Sequence, residues 1–311
     1  MEPWGVLVWN MARGAKKRGK AADTWAYLAK LTEEHNVHVA LLNEADVSSL
    51  RAVNAAAARE GDPAPAVFSD RGTLGRDFWN KDGVRTPYDR STWSAAVMAS
   101  SGAEALGERD VRAESPSWPH RSPDMAFTNS RPGSWIAASL TVGSERMTCV
   151  SLYGLIEELS DASMHRSLSE ISPLLSDPEH RELVLLGGDF NTSTATEAEH
   201  RERDRIVLDR IKAYGLRDCL AEWREKNDLP PLEGCRCADD PCRHTLTRLR
   251  PNERGEDRPW QERVSKQVDY LFASEALVDR LHDVVEIAPE EWETYSDHRP
   301  IIVMLRAEET P

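Results

Sequence analysis

Asp189 and Asn191 stand two residues apart in LVLLGGDFNTS, residues 183–193, directly behind an apolar run and two glycines. Residues i and i+2 of an extended segment point to the same side, so a carboxylate and a carboxamide face one site. Comparable groups stand at the margins of other apolar runs: Asn10 closes GVLVWN, Glu44 closes VHVALLNE, and Tyr153 closes RMTCVSLY. Asp269 opens the apolar part of QVDYLFAS, and Asp297 with His298 precedes PIIVMLRA. Any one of these reads equally well as a turn or cap residue. Six strand ends carrying metal- or proton-competent groups read together as one site, because loops at strand ends are where α/β folds carry function.

A second constellation lies in GCRCADDPCRHT. Cys235, Cys237, Cys242 and His244 form C-x-C-x4-C-x-H, four soft ligands within ten residues. Such a set could close a tetrahedral structural Zn²⁺ site and pin a loop that has little core of its own. The spacing is not a common finger pattern. A chance cluster or a redox-sensitive pair is the alternative, and His244 could instead line a substrate cleft. Cys149 and Cys219 sit in apolar patterns and read as small buried hydrophobes.

These groups need strands and helices to position them. GVLVWN predicts a buried strand, followed by a helix through TWAYLAKLTEEH with Asp23 as N-cap. VHVALLNE predicts the second strand, with a helix at about 50–58 behind it. WSAAVMAS, WIAASLTV and RMTCVSLY read as strands, the last two as a hairpin turning at Gly143–Ser144. Met164, Leu168, Ile171 and Leu175 mark a helix ahead of the LVLLGGD strand, and a further helix is expected over 198–213. Residues 102–134 and 227–262 read as loop insertions, rich in turn residues. No linker interrupts the pattern, so one domain over 1–311 is expected. Strands separated by helices, with hairpins among them, predict mixed sheets covered by outer helices.

The totals bound the function. The 311 residues carry 39 basic and 53 acidic side chains, a formal charge of −14. That argues against a passive binder of polyanions, whose affinity comes from neutralising many phosphates. It leaves room for an enzyme that meets phosphate through a metal, since acidic ligands build such a site. Lys16, Lys17, Arg18 and Lys20 form a local basic cluster behind the first strand. The sequence has no run of about 18 apolar residues and so no membrane-spanning helix. Its N-terminus reads as a strand rather than a signal peptide, so a cytoplasmic location is expected.

WN at 9–10, NE at 43–44, GGDFN at 187–191, VDYLF at 268–272 and SDHRP at 296–300 occur in the order found in the endonuclease/exonuclease/phosphatase superfamily. The chain resembles that superfamily over residues 6 to 305, with GDFN and SDH as its most specific elements. The resemblance implies the deoxyribonuclease-I-like fold, a four-layer α/β sandwich of two mixed, mostly antiparallel sheets packed face to face with helices outside. It also implies hydrolysis of phosphoesters with Mg²⁺ or Mn²⁺. By position, Glu44 matches the principal metal ligand, with Asn10 beside it and Asp297 completing the shell. Asp189 matches the residue that orients or deprotonates the attacking water, and Asn191 the one that holds a phosphate oxygen. His298 matches the residue that contacts the phosphoryl group, Asp269 its orienting partner, and Tyr153 a phosphate-contacting hydroxyl. Two departures stand out: Ala12 replaces an acidic residue common in nuclease relatives, and Asn43 stands where Gln is usual.

The superfamily spans many substrates, and a fold does not choose among them. The basic cluster, Arg109, Arg112, Arg121 and Arg131, and loop tryptophans at 79, 93, 118, 135 and 260 favour DNA or RNA. Those tryptophans could equally plug the sandwich edges. A small phosphomonoester is the alternative substrate, and a non-catalytic nucleic-acid-binding scaffold is the reading that the intact set of polar residues disfavours. Oligomeric state is left open by the sequence.

Overall fold

The computed structural model describes residues 2–12, 21–68, 78–79, 85–86, 93–100, 102–108, 133–155, 160–176, 183–195, 198–232, 235, 237, 239, 241–249 and 264–308. The basic cluster at 16–20, the four arginines at 109–131, Trp118 and Trp260 lie outside these residues. Two six-stranded sheets form the body. The first runs β15 (Leu281–Val285), β16 (Ile301–Leu305), β1 (Trp4–Asn10), β2 (Val37–Asp46), β6 (Trp93–Ala99), β3 (Ala66–Phe68). The second runs β11 (Leu216–Asp218), β14 (Asp269–Ser274), β10 (Val184–Asp189), β9 (Glu145–Leu152), β8 (Trp135–Val142), β7 (Ala103–Glu108). Two small ribbons, β4 (Phe78–Trp79) with β5 (Arg85–Thr86) and β12 (Arg248–Leu249) with β13 (Val264–Lys266), complete the strands.

Strand alternation explains the layering. Val6 and Val8 of β1, Val39 and Leu41 of β2, and Val97 of β6 face Ile136, Leu140, Leu185 and Leu271 of the other sheet. Their neighbours Leu7, Trp9, Ala40 and Leu42 point the opposite way, onto Tyr27, Leu28 and Leu31 of α1 (Ala21–Glu34) and Leu50 of α2 (Val47–Glu60). The second sheet does the same with Leu186, Tyr270 and Phe272. These meet Met164, Leu168 and Ile171 of α3 (Ser160–Ser176) and Val207 and Ile211 of α4 (Ala198–Lys212). Strands covered on both faces must be apolar at every position, which is why their sequences read as unbroken hydrophobic runs. The result is the expected four-layer α/β sandwich. Each sheet is antiparallel except for one parallel pair, β1 with β2 and β9 with β10, bridged by α1 and α3.

The expected elements are present, with corrections at their ends. Asp23 is not an N-cap: α1 begins at Ala21, because two alanines extend the helix and leave Asp23 in its first turn. The 102–134 insertion opens with β7, which pairs with β8 at the edge of the second sheet. Its small residues, Ala103 and Ala105, hide strand alternation in a composition that reads as loop. LRDCLAEW divides into β11 and α5 (Cys219–Lys226), capped by Asp218, whose carboxylate accepts from the Leu220 and Ala221 amides. Trp93 and Trp135 are buried, so they plug the sandwich rather than offer faces for stacking. No described helix is long and apolar enough to cross a membrane.

Candidate active site

Topology gathers the polar strand ends. Strands β1 and β10 finish at one rim of the sandwich with Asn10 and Asp189, and β2 carries Glu44 two residues before its end there. Because β14 is antiparallel to β10, its first residue Asp269 pairs directly with Asp189. Because β16 is antiparallel to β1, His298 comes just before it at the same rim.

The glycines ahead of Asp189 set how closely the sheets meet there. A Cβ on Gly188, whose φ is +145°, would lie 2.0 Å from the Leu152 carbonyl and 2.5 Å from Asn43 Oδ1. In that space Asn43 crosses between the sheets. Its Oδ1 accepts from the Asp189 amide at 2.6 Å, and its Nδ2 donates to Ser151 Oγ at 3.1 Å. Asn43 is fully buried, so the residue that departs from the superfamily pattern fixes the backbone of the central carboxylate. Sequence reasoning gave it no such role.

Asp189 is buried and surrounded by donors. Its Oδ2 accepts from Asn10 Nδ2 at 2.8 Å and Asn191 Nδ2 at 3.2 Å, and its Oδ1 from the Asn191 amide at 2.8 Å. Holding this turn puts Asn191 at φ +49°, a conformation uncommon outside glycine. On the other side, His298 Nδ1 lies 2.9 Å from Asp269 Oδ2, which directs Nε2 towards Asp189 Oδ2 at 3.7 Å. The imidazole is fixed from behind as well. Its backbone amide donates to Ser296 Oγ, Ser296 Oγ donates to the Asn10 carbonyl, and Trp9 Nε1 donates to the His298 carbonyl.

Burial and charge act in opposite senses here. Burial pushes the Asp189 carboxyl up, to about 7, with the Asp269 charge adding to the rise and the His298 charge opposing it. For His298, burial favours the neutral ring, but the Asp269 and Asp189 charges outweigh it and raise the imidazole to about 9. Both shifts favour the protonated forms, His298 through its carboxylate neighbours and Asp189 through its burial. A group that titrates near the working pH is what proton transfer requires.

Glu44 stands on a β-bulge where the pairing of β2 with β6 shifts between Leu42 and Ala45, and its φ is +48°. Bulges re-aim side chains, and strained backbone of this kind clusters at functional sites. The Tyr153 hydroxyl donates to Glu44 Oε1 at 2.7 Å, while the Tyr153 ring packs edge-on against Trp93. Tyr153 thus holds the Glu44 carboxylate. Asn10 pairs in register with Asn43, one residue before Glu44, and its Oδ1 accepts from the Ala12 amide. Oxygen donors from Glu44 and Asn10, with the half-buried Asp297 close enough to support the His298 charge, are the chemistry a hard divalent cation prefers. Ligand atoms of Asp189, Asp269 and His298 also lie within 4.8 Å of one another, an arrangement that could take a cation only in exchange for the His298 proton.

The site includes residues for which the sequence held no signal. Arg248, in the LTRLRP segment, donates from Nη1 to Asn191 Oδ1 at 3.2 Å and bridges to the His298 backbone. Thr247 Oγ1 accepts from the Val268 and Asp269 amides, fixing the start of β14. The cysteine constellation lies beside this segment: the ligand atoms of Cys235, Cys237, Cys242 and His244 fall within 4.8 Å of one another. Cys149 and Cys219 are buried in the inter-sheet core, as expected.

No protein-family model matches the sequence, and no curated protein does. Among solved structures, the chain is similar to the AP endonuclease LMAP from Leishmania major, with 16% identity, a TM-score of 0.57, and 98% of this chain covering 88% of that one. It is also similar to the 3′ phosphatase NExo from Neisseria, bound to product DNA hairpin, with 17% identity, a TM-score of 0.55, and 98% of this chain covering 100% of that one. A third likeness is to the human Nocturnin catalytic domain with bound sulfate anion, with 13% identity, a TM-score of 0.55, and 98% of this chain covering 94% of that one. The chain has the deoxyribonuclease-I-like fold that its motifs resemble.

Proposed function

We propose that the protein is a divalent-metal-dependent phosphoester hydrolase, acting as a nuclease or phosphodiesterase on DNA or RNA. One observation carries the reading: two hydrogen-bonded pairs from three motifs, Asp189 with Asn191 and His298 with Asp269, face each other with His298 Nε2 3.7 Å from Asp189 Oδ2, while Asn10 donates to Asp189 and Tyr153 to Glu44. In this reading Asp189 orients water and accepts its proton as the water oxygen bonds to phosphorus in line with the departing ester oxygen. His298, held by Asp269, directs a protonated Nε2 at the phosphoryl group, neutralising its charge and supplying a proton to the leaving oxygen. Asn191 and Arg248 add donors for the non-bridging oxygens, the group of interactions that usually dominates such catalysis. Glu44 and Asn10, with Asp297, are the residues that would hold Mg²⁺ or Mn²⁺. The cation would polarise the phosphoryl oxygens and offset developing charge.

The substrate class rests on two supports. Two of the similar structures are an AP endonuclease and a DNA-bound 3′ phosphatase, and Arg248 gives the rim a local cation in a chain of charge −14. That overall charge favours the second reading, a phosphatase for a small phosphomonoester, because such a substrate needs no extended basic surface. Asp189→Asn tests the reading. Purified variant and wild type are compared on supercoiled plasmid and oligonucleotides with Mg²⁺ or with EDTA. Metal-dependent cleavage lost by several orders of magnitude in a variant that still folds is expected; a near-normal rate in the variant would remove Asp189 from the mechanism.

A further inference from the structure

We infer that Cys235, Cys237, Cys242 and His244 form a structural Zn²⁺ site that anchors the Arg248 segment to the loop carrying Asp189 and Asn191. In a tetrahedral site with Zn–S of about 2.3 Å and Zn–N of about 2.0 Å, sulfur and nitrogen ligands stand about 3.5 Å apart and two sulfurs about 3.8 Å apart. His244 Nδ1 lies 3.5 Å from Cys242 Sγ and 3.7 Å from Cys235 Sγ. All four ligand atoms lie within 4.8 Å of one another, close enough to converge on one metal ion.

The surroundings are those of a metal-binding histidine. Such residues turn their second ring nitrogen to a hydrogen-bond partner that fixes the ring. His244 Nε2 lies 2.7 Å from the buried Thr194 hydroxyl. Thr194 lies in the loop that follows Asp189 and contains Asn191, so the ring is clamped between the thiols and the loop behind the central carboxylate. A chance cluster does not predict that orientation. A pair of redox cysteines leaves the third thiol and the aligned imidazole without a role.

The cage sits at the end of the segment that neighbouring strands do not hold. From Thr245 to Arg248 the chain is already tied: the Thr245 amide donates to Gln267 Oε1, the Thr247 amide to the Lys266 carbonyl, and Thr247 Oγ1 accepts from the start of β14. Upstream of Cys242, Asp239 is held by Arg205 of α4 at 3.2 Å. His244 stands four residues before Arg248, whose guanidinium reaches Asn191 Oδ1. A zinc ion bound there stands apart from the proposed hydrolysis, and only its effect through Arg248 depends on that reading.

The test measures metal directly. Protein expressed in zinc-replete medium and freed of loose metal by gel filtration should retain equimolar zinc by mass spectrometry, and Cys242→Ser should lose it. Cobalt replacement in the wild-type chain, which does not depend on any variant folding, should give thiolate charge-transfer absorption and the strong visible bands of a tetrahedral site. Chelation should then speed amide exchange in 242–249 by at least tenfold and leave α3 unchanged. Zinc-free folded protein with all three thiols open to a thiol reagent would overturn the inference, as would a disulfide within the cluster. Neither result would touch the hydrolase reading, whose failure would leave zinc content unchanged.

Discussion

Replacing Asp269 by Asn tests how the site holds its proton. His298 is buried, and burial alone favours its neutral form; the carboxylates of Asp269 and Asp189 reverse that preference and raise it from 6.5 to about 9. The rise corresponds to a net preference for the proton of about 3 kcal/mol, what remains after burial has opposed the carboxylates. Asp269→Asn keeps an acceptor 2.9 Å from Nδ1 but removes the nearer charge. The His298 value should then fall below 6.5, as burial acts with less opposition. Imidazole nitrogen correlation spectra of metal-free protein, with His298→Ala to assign the signal among nine histidines, should show titration near pH 9 in the wild type and below 6.5 in the variant. The sign for stability follows. A folded-state value above the free one stabilises the fold fully below pH 6.5, and that contribution is lost as the pH rises through about 9. The variant should therefore be less stable by up to about 3 kcal/mol around pH 6.5, with the gap closing towards pH 9. Turnover at neutral pH should drop on the order of 10² to 10⁴ with the loss of the charged ring. A wild-type His298 that titrates near 6.5, or a variant with an unmoved value, would show that the carboxylates do not hold its proton.

Further outcomes follow from the same geometry. Asp189 has a folded-state value raised from 3.8 to about 7, so its burial costs stability as the pH climbs through that interval. Metal-free Asp189→Asn escapes that cost but also loses the charge that helps hold the proton on His298, so its stability relative to wild type should rise as the pH climbs through about 7 in urea melts, and restoring the metal should not restore cleavage. Gly188→Ala places a Cβ 2.0 Å from a backbone carbonyl at φ +145° and should lower unfolding free energy by about 3 kcal/mol or more, read from denaturant midpoints. Arg248→Ala should reduce kcat on the order of 10², with Arg248→Lys recovering part of it; equal rates in all three proteins would exclude Arg248 from the site. Tyr153→Phe, which removes the hydroxyl on Glu44 Oε1, should raise the metal concentration needed for half-maximal activity more than it lowers kcat.

What the sequence disclosed depended on how local the signal was. The continuous apolar runs of β1, β2, β10 and β14 are legible because both faces of each strand are covered, and that double burial leaves no other residue type acceptable. The DxN spacing is legible because strand alternation converts it into geometry. Arg248 was not legible: it stands in a short ribbon whose position against Asn191 depends on pairing between segments far apart in the chain. Nor was Asn43, whose bridge to Asp189 and Ser151 exists only once two sheets have packed. The edge strand β7 escaped notice because alanine and glycine carry little pattern, and Asp23 misled because an acidic residue suits the first helical turn as well as the cap.

The most direct test of the account is a paired assay of wild type and His298→Ala with Mg²⁺, Mn²⁺ or EDTA. The panel comprises supercoiled plasmid, single-stranded DNA, RNA, and nucleotide and sugar monophosphates. Metal-dependent cleavage of a nucleic acid by the wild type, abolished by EDTA and by the substitution, is expected. Release of phosphate from monophosphates with the nucleic acids left intact would contradict the substrate assignment. Tight nucleic-acid binding with no turnover under any metal would contradict the claim that this cluster hydrolyses phosphoesters.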